Sequence, residues 1–466
     1  MAGIVLCGRF EIDEQRSCRH IPFDVPEGVD RFRIVVSYND PVSSDPRLTN
    51  GNTLDIGLFD DRGIAAGGPG FRGWSGSNKL DLTIGTGWST PPYRAGKPDA
   101  GIWHLLLGAY KIGPRGLDFT AEITFNHGVV AGYNETLPAI ASIRRRPVPA
   151  CAEHGWYRGD LHAHTIFSDG SATPVELAIH AIEAGLDFYG ITDHNRAQAP
   201  VGFAPSGDGW PILVPGVEVT TYAGHFNVWG TDTWYDFRNP SEAGVRAAVD
   251  AAVADGGLVA MNHPKPFGPE WELPNVTGFH AVEAWNGWWS RLNHVSLRQW
   301  DARLQRGERI VGICGSDVHQ PDLVGDPDNP FSPVRIGWPT LWVRPDGELS
   351  PGTILDAIRA GRCFMTESPA GPQLYLDRTG TEIRSRAVGA AGNTMVLVGP
   401  GGAIHATALA GDDVSVTLPI DEVSDMMTAA AAHYVRAQIQ DATGVIRALS
   451  NPLWLDDWTT AGTAKS

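Results

Sequence analysis

Cysteine is scarce in this chain of 466 residues. The five present (Cys7, Cys18, Cys151, Cys314 and Cys363) are scattered, with no C-x-x-C spacing. A disulfide framework and a thiolate zinc site are therefore not expected, and reduced thiols are the plain reading. No apolar run approaches the ~20 residues needed to span a bilayer, so no membrane partner is expected. The apolar stretch Ile4 to Cys7 is short and no basic segment precedes it, so neither is a secretory leader; a cytoplasmic location is the expectation. Positive charge is also in deficit: 36 Lys and Arg stand against 53 Asp and Glu, a formal net charge of −17. A field of that sign opposes phosphate backbones, so nucleic acid is not an expected partner. Divalent cations bound at one place would reverse that argument locally.

What the chain does have is material for turns and a core. It carries 55 Gly and 34 Pro, with 42% hydrophobic and 19% charged residues, which suits a globular protein with many short elements. The length suggests about three domains. Residues 1–127 hold short runs such as "DRFRIVVSY", "NTLDIGLFD" and "DFTAEITF", which alternate or run apolar between Gly, Pro, Asn and Asp; they predict an N-terminal β-sandwich. Residues 128–153, with three consecutive arginines and several prolines, read as a linker. Residues 154–370 change to alternating strand and helix, about seven strands, which predicts an α/β unit with a largely parallel sheet closed into a barrel. Its clearest helix is "TPVELAIHAIEAG": Thr173 caps, Pro174 takes the first helical position, Glu176 completes a capping box and Gly185 ends it. Residues 371–466 return to strand character as a small C-terminal β domain, in which "DEVSDMMTAAAAHY" reads as a short helix or a loop.

The chemistry concentrates at the predicted strand ends. Residues i and i+2 of a strand share a face, so His162 and His164 in "GDLHAHTIFSDG" can converge on one ion, and Asp317 and His319 in "GSDVH" form a second such pair. "ITDH" offers His194, "GHFN" His225 and "MNHP" His263, while Asp169 follows in a Ser-Asp-Gly turn. Glu218 stands among apolar residues in "GVEV", costly for a carboxylate unless a cation or hydrogen bonds satisfy it. In a parallel α/β barrel the C-terminal strand ends open onto one face, where such residues meet.

These motifs resemble the PHP (polymerase and histidinol phosphatase) superfamily of metal-dependent phosphoesterases. "DLHAHTIFSDG", "GITDH", "GVEVT", "GHFN", "NHP" and "GSDVH" follow the family's order over residues 159–319, with every ligand position filled. The leading β domain and the ending "RALSNPLWL" look most like the carbaryl-hydrolase-like branch. The resemblance implies a distorted seven-stranded β/α barrel. It implies that His162, His164, Glu218 and Asp317 hold one ion, that Glu218 bridges to a second held also by His225 and His263, and that Asp169, His194 and His319 hold a third.

The donor types agree with two or three divalent metal ions, zinc, manganese or iron, because imidazole and carboxylate without thiolate suit these. A shared carboxylate such as Glu218 offsets repulsion between ions, and a metal-bridging hydroxide is a nucleophile at neutral pH. Asp317 and His319 can also manage protons. The expected reaction is phosphoester hydrolysis of a small-molecule ester. A carboxylic or carbamate ester is the alternative at the same centre, and a metal-stabilised binding or scaffold protein without turnover is the alternative of another class. Arg196 and Lys265 follow ligand motifs and are the candidates to grip an anionic substrate, ahead of Arg291 and Arg335. "EAWNGWW", Glu283 to Trp289, offers an aromatic wall or ordinary packing. Asp193 reads as a residue behind the ligands, and His180, His280 and His294 as structural. The N-terminal domain shows no catalytic constellation; substrate access, a partner and a homo-oligomer interface are all open roles for it.

Overall fold

The first zone folds into eight strands, β1 (Ile4–Phe10), β2 (Cys18–Val25), β3 (Arg31–Tyr38), β4 (Thr53–Phe59), β5 (Phe71–Gly76), β6 (Asp81–Gly85), β7 (Gly101–Lys111) and β8 (Leu117–Phe125), in a computed structural model. It describes residues 3–126, 137, 139–198, 202–425, 427 and 433–455. The strands pair antiparallel into two four-stranded sheets, ordered β1-β8-β3-β6 and β2-β7-β4-β5. Alternation along β3 and β8 turns Phe32, Ile34 and Ile123 inward, where they join Ile56, Leu58 and Leu105 of the other sheet in one buried core. Most of the expected linker's first half, residues 128–136 and 138, lies outside the described residues.

The second zone supplies β9 (Tyr157–Asp160), α1 (Pro174–Ala184), β10 (Phe188–Ile191), β11 (Ile212–Thr221), β12 (Gly224–Trp229), α2 (Glu242–Ala254), β13 (Leu258–Met261), β14 (Ala281–Asn286), α3 (Asn293–Gln305) and β15 (Val311–Gly315). α1 begins as its sequence suggests: the Thr173 side chain accepts from the Glu176 N–H, Glu176 reaches back to Thr173, and Gly185 ends the helix at φ +77°. β9 to β15 are hydrogen-bonded neighbours in chain order. The two ends of this run then meet: Ala163 bridges Val318, Asp317 N–H donates to His162 O and His164 N–H to Val318 O, both at 2.9 Å.

The run is less parallel than the alternation of strand and helix suggests. β12 is antiparallel to both β11 and β13, because Tyr222 and Ala223 close a tight hairpin between β11 and β12. Described helices separate only β9 from β10, β12 from β13 and β14 from β15.

The remainder comprises β16 (Thr340–Val343), α4 (Pro351–Arg359), β17 (Cys363–Thr366), β18 (Gln373–Thr379), β19 (Glu382–Val388), β20 (Thr394–Gly399), β21 (Gly402–Ala408), β22 (Asp413–Pro419), α5 (Ile420–Asp425), β23 (Tyr434–Gln440), β24 (Ile446–Ser450) and β25 (Leu453–Trp454). β16 pairs with β9, and the sheet continues through β17, β24, β23, β20 and β21, so the last zone extends the central sheet. β18, β19 and β22 form a separate three-stranded sheet. The segment open to two readings is a helix up to Asp425; residues 426 and 428–432 lie outside the described residues. The architecture is thus mixed α/β and rich in strands. Among the described residues no helix is long and apolar enough to cross a membrane.

The first zone packs against the second through aromatic side chains. Phe59 and Phe71 share a buried cluster with Trp234 and Phe237, with Phe71 and Trp234 ring centres 4.6 Å apart. The Trp234 indole N–H donates to Gly68 O at 2.7 Å, and the Tyr222 hydroxyl to Asp55 at 2.7 Å.

Candidate metal centre

The meeting of the two ends of the β9–β15 run assembles the site. His162 and His164 flank Ala163, Asp317 and His319 flank Val318, and a single backbone bridge joins Ala163 to Val318. Two i, i+2 pairs are thereby set side by side. A second bridge, His194 to Glu218, carries the end of β10 against β11. Close approach here depends on glycine: a Cβ on Gly315 would lie 2.4 Å from His162 Cβ and 2.8 Å from Glu283 Oε1. Three residues at the site, Asn195, His263 and Asp317, hold positive φ of 43°, 27° and 57°. Such backbone costs on the order of 1–3 kcal/mol each and is kept where the surroundings impose it.

All nine residues singled out in the sequence lie together. Ligand-capable atoms of His162, His164, Glu218 and Asp317 fall within 4.8 Å of one another, as do those of His164, Asp169, His194 and His319, and those of His194, Glu218 and His225. His263 joins through Nε2, 3.2 Å from Glu218 Oε1. The groups overlap: Glu218, His164 and His194 each belong to two of them. Glu218 is central, with one oxygen 2.8 Å from His194 Nδ1 and 3.4 Å from both His162 and His164 Nε2, and the other 3.2 Å from His225 and His263.

Buried polar partners hold this set from behind. Glu283 is fully buried; its Oε1 lies 2.7 Å from His162 Nδ1, while its Oε2 accepts from His263 N–H and the Asn286 amide. An imidazole that donates Nδ1–H to a carboxylate presents the Nε2 lone pair to a metal. In the sequence Glu283 stands out only as the start of an aromatic stretch, yet "AVEAW" isolates a carboxylate among apolar residues as "GVEV" does. The tryptophans of that stretch pack: Trp285 lies edge-on to Trp289, and the Trp288 N–H donates to Pro333 O. The Asn262 amide donates to Glu218 Oε1 at 2.7 Å, and Thr220 Oγ1 lies 2.5 Å from His194 Nδ1. Asp193 accepts from Thr165 N–H, Thr165 Oγ1 and Ser168 Oγ, which fixes the loop carrying Asp169.

The charge pattern fits cations. Burial pushes Glu218 up, but His162, His194 and His225 outweigh it and hold the carboxyl well below its usual range. Asp317 is held low against its burial by His162, His164 and His319, and Asp169 by His319 and His194. Burial, with His319 and His194, lowers His164 to about 3, so it stays neutral and able to ligate. Two buried atoms of the cluster, His162 Nε2 and Glu218 Oε2, make no hydrogen bond of sound geometry, although His194 Nδ1 lies 2.8 Å from the latter. Buried polar atoms are nearly always satisfied, and a divalent ion bound by imidazole and carboxylate would satisfy both.

Of the substrate candidates, Arg196 points elsewhere: its guanidinium donates to Gly216 O, Thr231 O and Asp232. Lys265 is fully buried and donates to Asn286 O and Asn293 Oδ1 at 2.7 and 2.8 Å; burial drives its pKa well down. Arg291 donates to Pro330 O and Ser332 O. His180 pairs with Asp322 and Glu183, and His280 Nδ1 accepts from Val259 N–H, in keeping with structural roles.

No protein-family model matches the chain. Over 65 residues it is 43% identical to the 5'-3' exoribonuclease Rnm of Escherichia coli (strain K12), covering 13% of this chain and 22% of that protein; the chain thus matches about a fifth of the curated relative's length. It is similar to a two-domain protein from Bacteroides vulgatus ATCC 8482 with a predicted PHP-like metal-dependent phosphoesterase, at 18% identity and TM-score 0.37 over 67% of this chain and 99% of that one. It is also similar to a candidate metal-dependent phosphoesterase from Bifidobacterium adolescentis ATCC 15703, at 15% identity and TM-score 0.27 over 42% and 94%.

Proposed function

We propose that this chain is a PHP-type metal-dependent phosphoesterase, with two or three divalent ions held by His162, His164, Asp169, His194, Glu218, His225, His263, Asp317 and His319. The observation that carries this reading is Glu218, a buried carboxylate facing five imidazoles with one oxygen making no hydrogen bond of sound geometry. In this reading β9 to β15 form the family's distorted seven-stranded barrel within residues 154–370, flanked by the β units 1–127 and 371–466. Bound ions would acidify water and polarise an ester oxygen.

The chain's own residues do the rest. Glu283 sets the tautomer of His162, Asn262 orients Glu218, and Asp193 holds the Asp169 loop. Asp169, Asp317 and His319, with side chains 39%, 20% and 33% exposed, are the most exposed members. Substrate and exchanging protons enter from their side, which suits Asp317 and His319 to proton management.

A second reading, hydrolysis of a carboxylic or carbamate ester, gains from Arg196, whose donors face protein acceptors and not a substrate phosphate. Nitrophenyl phosphate, a phosphodiester, a carboxylate ester and a carbamate assayed side by side on metal-loaded protein separate the two. Fastest turnover of a phosphoester is expected, with loss of turnover and bound metal in Glu218→Gln. Faster turnover of a carbon ester would transfer the assignment to the second reading. No turnover on any ester would favour a binding protein.

A further inference from the structure

We propose that Lys79, on the N-terminal β unit, is a positioning residue for the metal group that contains Asp169. The turn between β5 and β6 reaches across to the loop 165–170, which follows the ligand His164, carries the ligand Asp169 and closes on itself: Gly170 N–H bonds to Thr165 O, and a Cβ at Gly170 would lie 2.4 Å from His164 O. The Lys79 ammonium donates to Ile166 O at 3.0 Å and to Ser168 O at 2.5 Å, and the Asn78 amide also donates to Ser168 O, at 3.2 Å. The residue next in the chain after Ser168 is Asp169 itself.

Three features mark this contact as more than packing between domains. The ammonium is partly buried and spends its contacts on two backbone carbonyls of the loop, Ile166 O and Ser168 O; burial lowers its pKa, and the carboxylates of Asp193 and Asp169 oppose that shift. The carbonyls it binds belong to a loop whose inner side is fixed by Asp193 through Thr165 and Ser168, so the loop is gripped from both faces. The turn is itself braced: Asp55, close to Ser77 of the turn, accepts from the Tyr222 hydroxyl, and Trp74 of β5 lies edge-on to the His194 ring, with centres 6.4 Å apart. The β unit thus touches two members, His194 and the Asp169 loop, of one group (His164, Asp169, His194, His319), and Lys79 sets where the Asp169 carboxylate stands.

The inference rests on the metal-centre reading and has a test of its own. Wild type, Lys79→Met and Lys79→Arg are dialysed against Mn²⁺ at a series of buffered free concentrations, and metal per chain is measured by elemental analysis. The metal-free forms are melted in parallel. Lys79→Met should lose one ion per chain or bind it at least about 10-fold more weakly, with the remaining ions unaffected, and Lys79→Arg, which keeps a cationic donor, should restore it. Equal loading of Lys79→Met and wild type overturns the inference and leaves the metal-centre reading intact. Loss of every ion together with a lowered melting temperature of the metal-free variant also overturns it, because the role would then be structural. A wild-type chain that binds no divalent ion overturns both.

Discussion

At the scale of single residues, the sequence exposes what is isolated or spaced and hides what is merely pointed. The nine clustered residues are legible because i, i+2 spacing and strand-end placement are chain properties, and Glu218 because a carboxylate among apolar neighbours needs a reason. Arg196 shows the limit: its position beside "TDHN" says nothing of rotamer, and its donors turn to Gly216 O and Thr231 O. Glu283 carries the same sequence signal as Glu218 and was hidden by the tryptophans that follow it. Replacing Glu283 with Gln keeps its shape and removes the charge opposite His162 Nδ1. Metal affinity should fall by about 10–100-fold with the fold retained, read by chelator competition and circular dichroism; unchanged affinity would remove Glu283 from the centre. A pH prediction follows from His319. Burial disfavours its imidazolium, but Asp169 and Asp317 outweigh burial and raise it to about 10. A raised histidine stabilises the metal-free fold fully below its ordinary value of 6.5, and that stabilisation is lost as pH climbs through the folded value. The melting temperature of the metal-free chain should therefore fall between about pH 6.5 and 10, whereas the metal-loaded chain, with that proton displaced, should be flatter over the same range.

Secondary elements were legible where punctuation is local. Thr173, Pro174, Glu176 and Gly185 specify both ends of α1 through bonds made within a few residues. Strand direction is not local in that sense. β12 runs antiparallel because "TTYAGH" folds back as a hairpin, a signal overshadowed by the strand-helix alternation around it. Nor does the sequence disclose how tightly β15 lies against the first metal-bearing segment. Gly315 reports that closeness, since any side chain there meets His162 and Glu283. Gly315→Ala should destabilise the fold by about 1–3 kcal/mol, an overpacking cost, and should weaken metal binding as well, because relief requires moving His162. Urea unfolding with and without Mn²⁺ measures both. A loss of stability with metal affinity intact would mean that β15 yields instead of His162.

For the whole molecule, composition suggests zones but discloses neither that the last zone continues the central sheet through β17 and β24 nor how zones touch, because no periodicity records which surface of one unit meets another. That contact is substantial. Phe59 and Phe71 of the N-terminal unit enclose Trp234, which is nearly fully buried, and Phe237 extends the seam to Trp74 beside His194. The exposed pair Arg16–Glu272 also spans the seam, but exposed ion pairs contribute little, so apolar burial carries the docking. Trp234→Ala should cost about 3–5 kcal/mol, as expected for emptying a large aromatic site. Because the lost contacts lie between units, the expected signature is a split transition: the N-terminal unit unfolds at lower urea, and the remainder follows near the wild-type midpoint. Lys79 and Asn78 leave the Asp169 loop when the unit undocks, so loss of one ion per chain should begin at the first transition and not at the second. A single cooperative transition at the wild-type midpoint would instead show that the aromatic seam is dispensable and that the polar contacts at Lys79 and Tyr222 suffice to hold the unit in place.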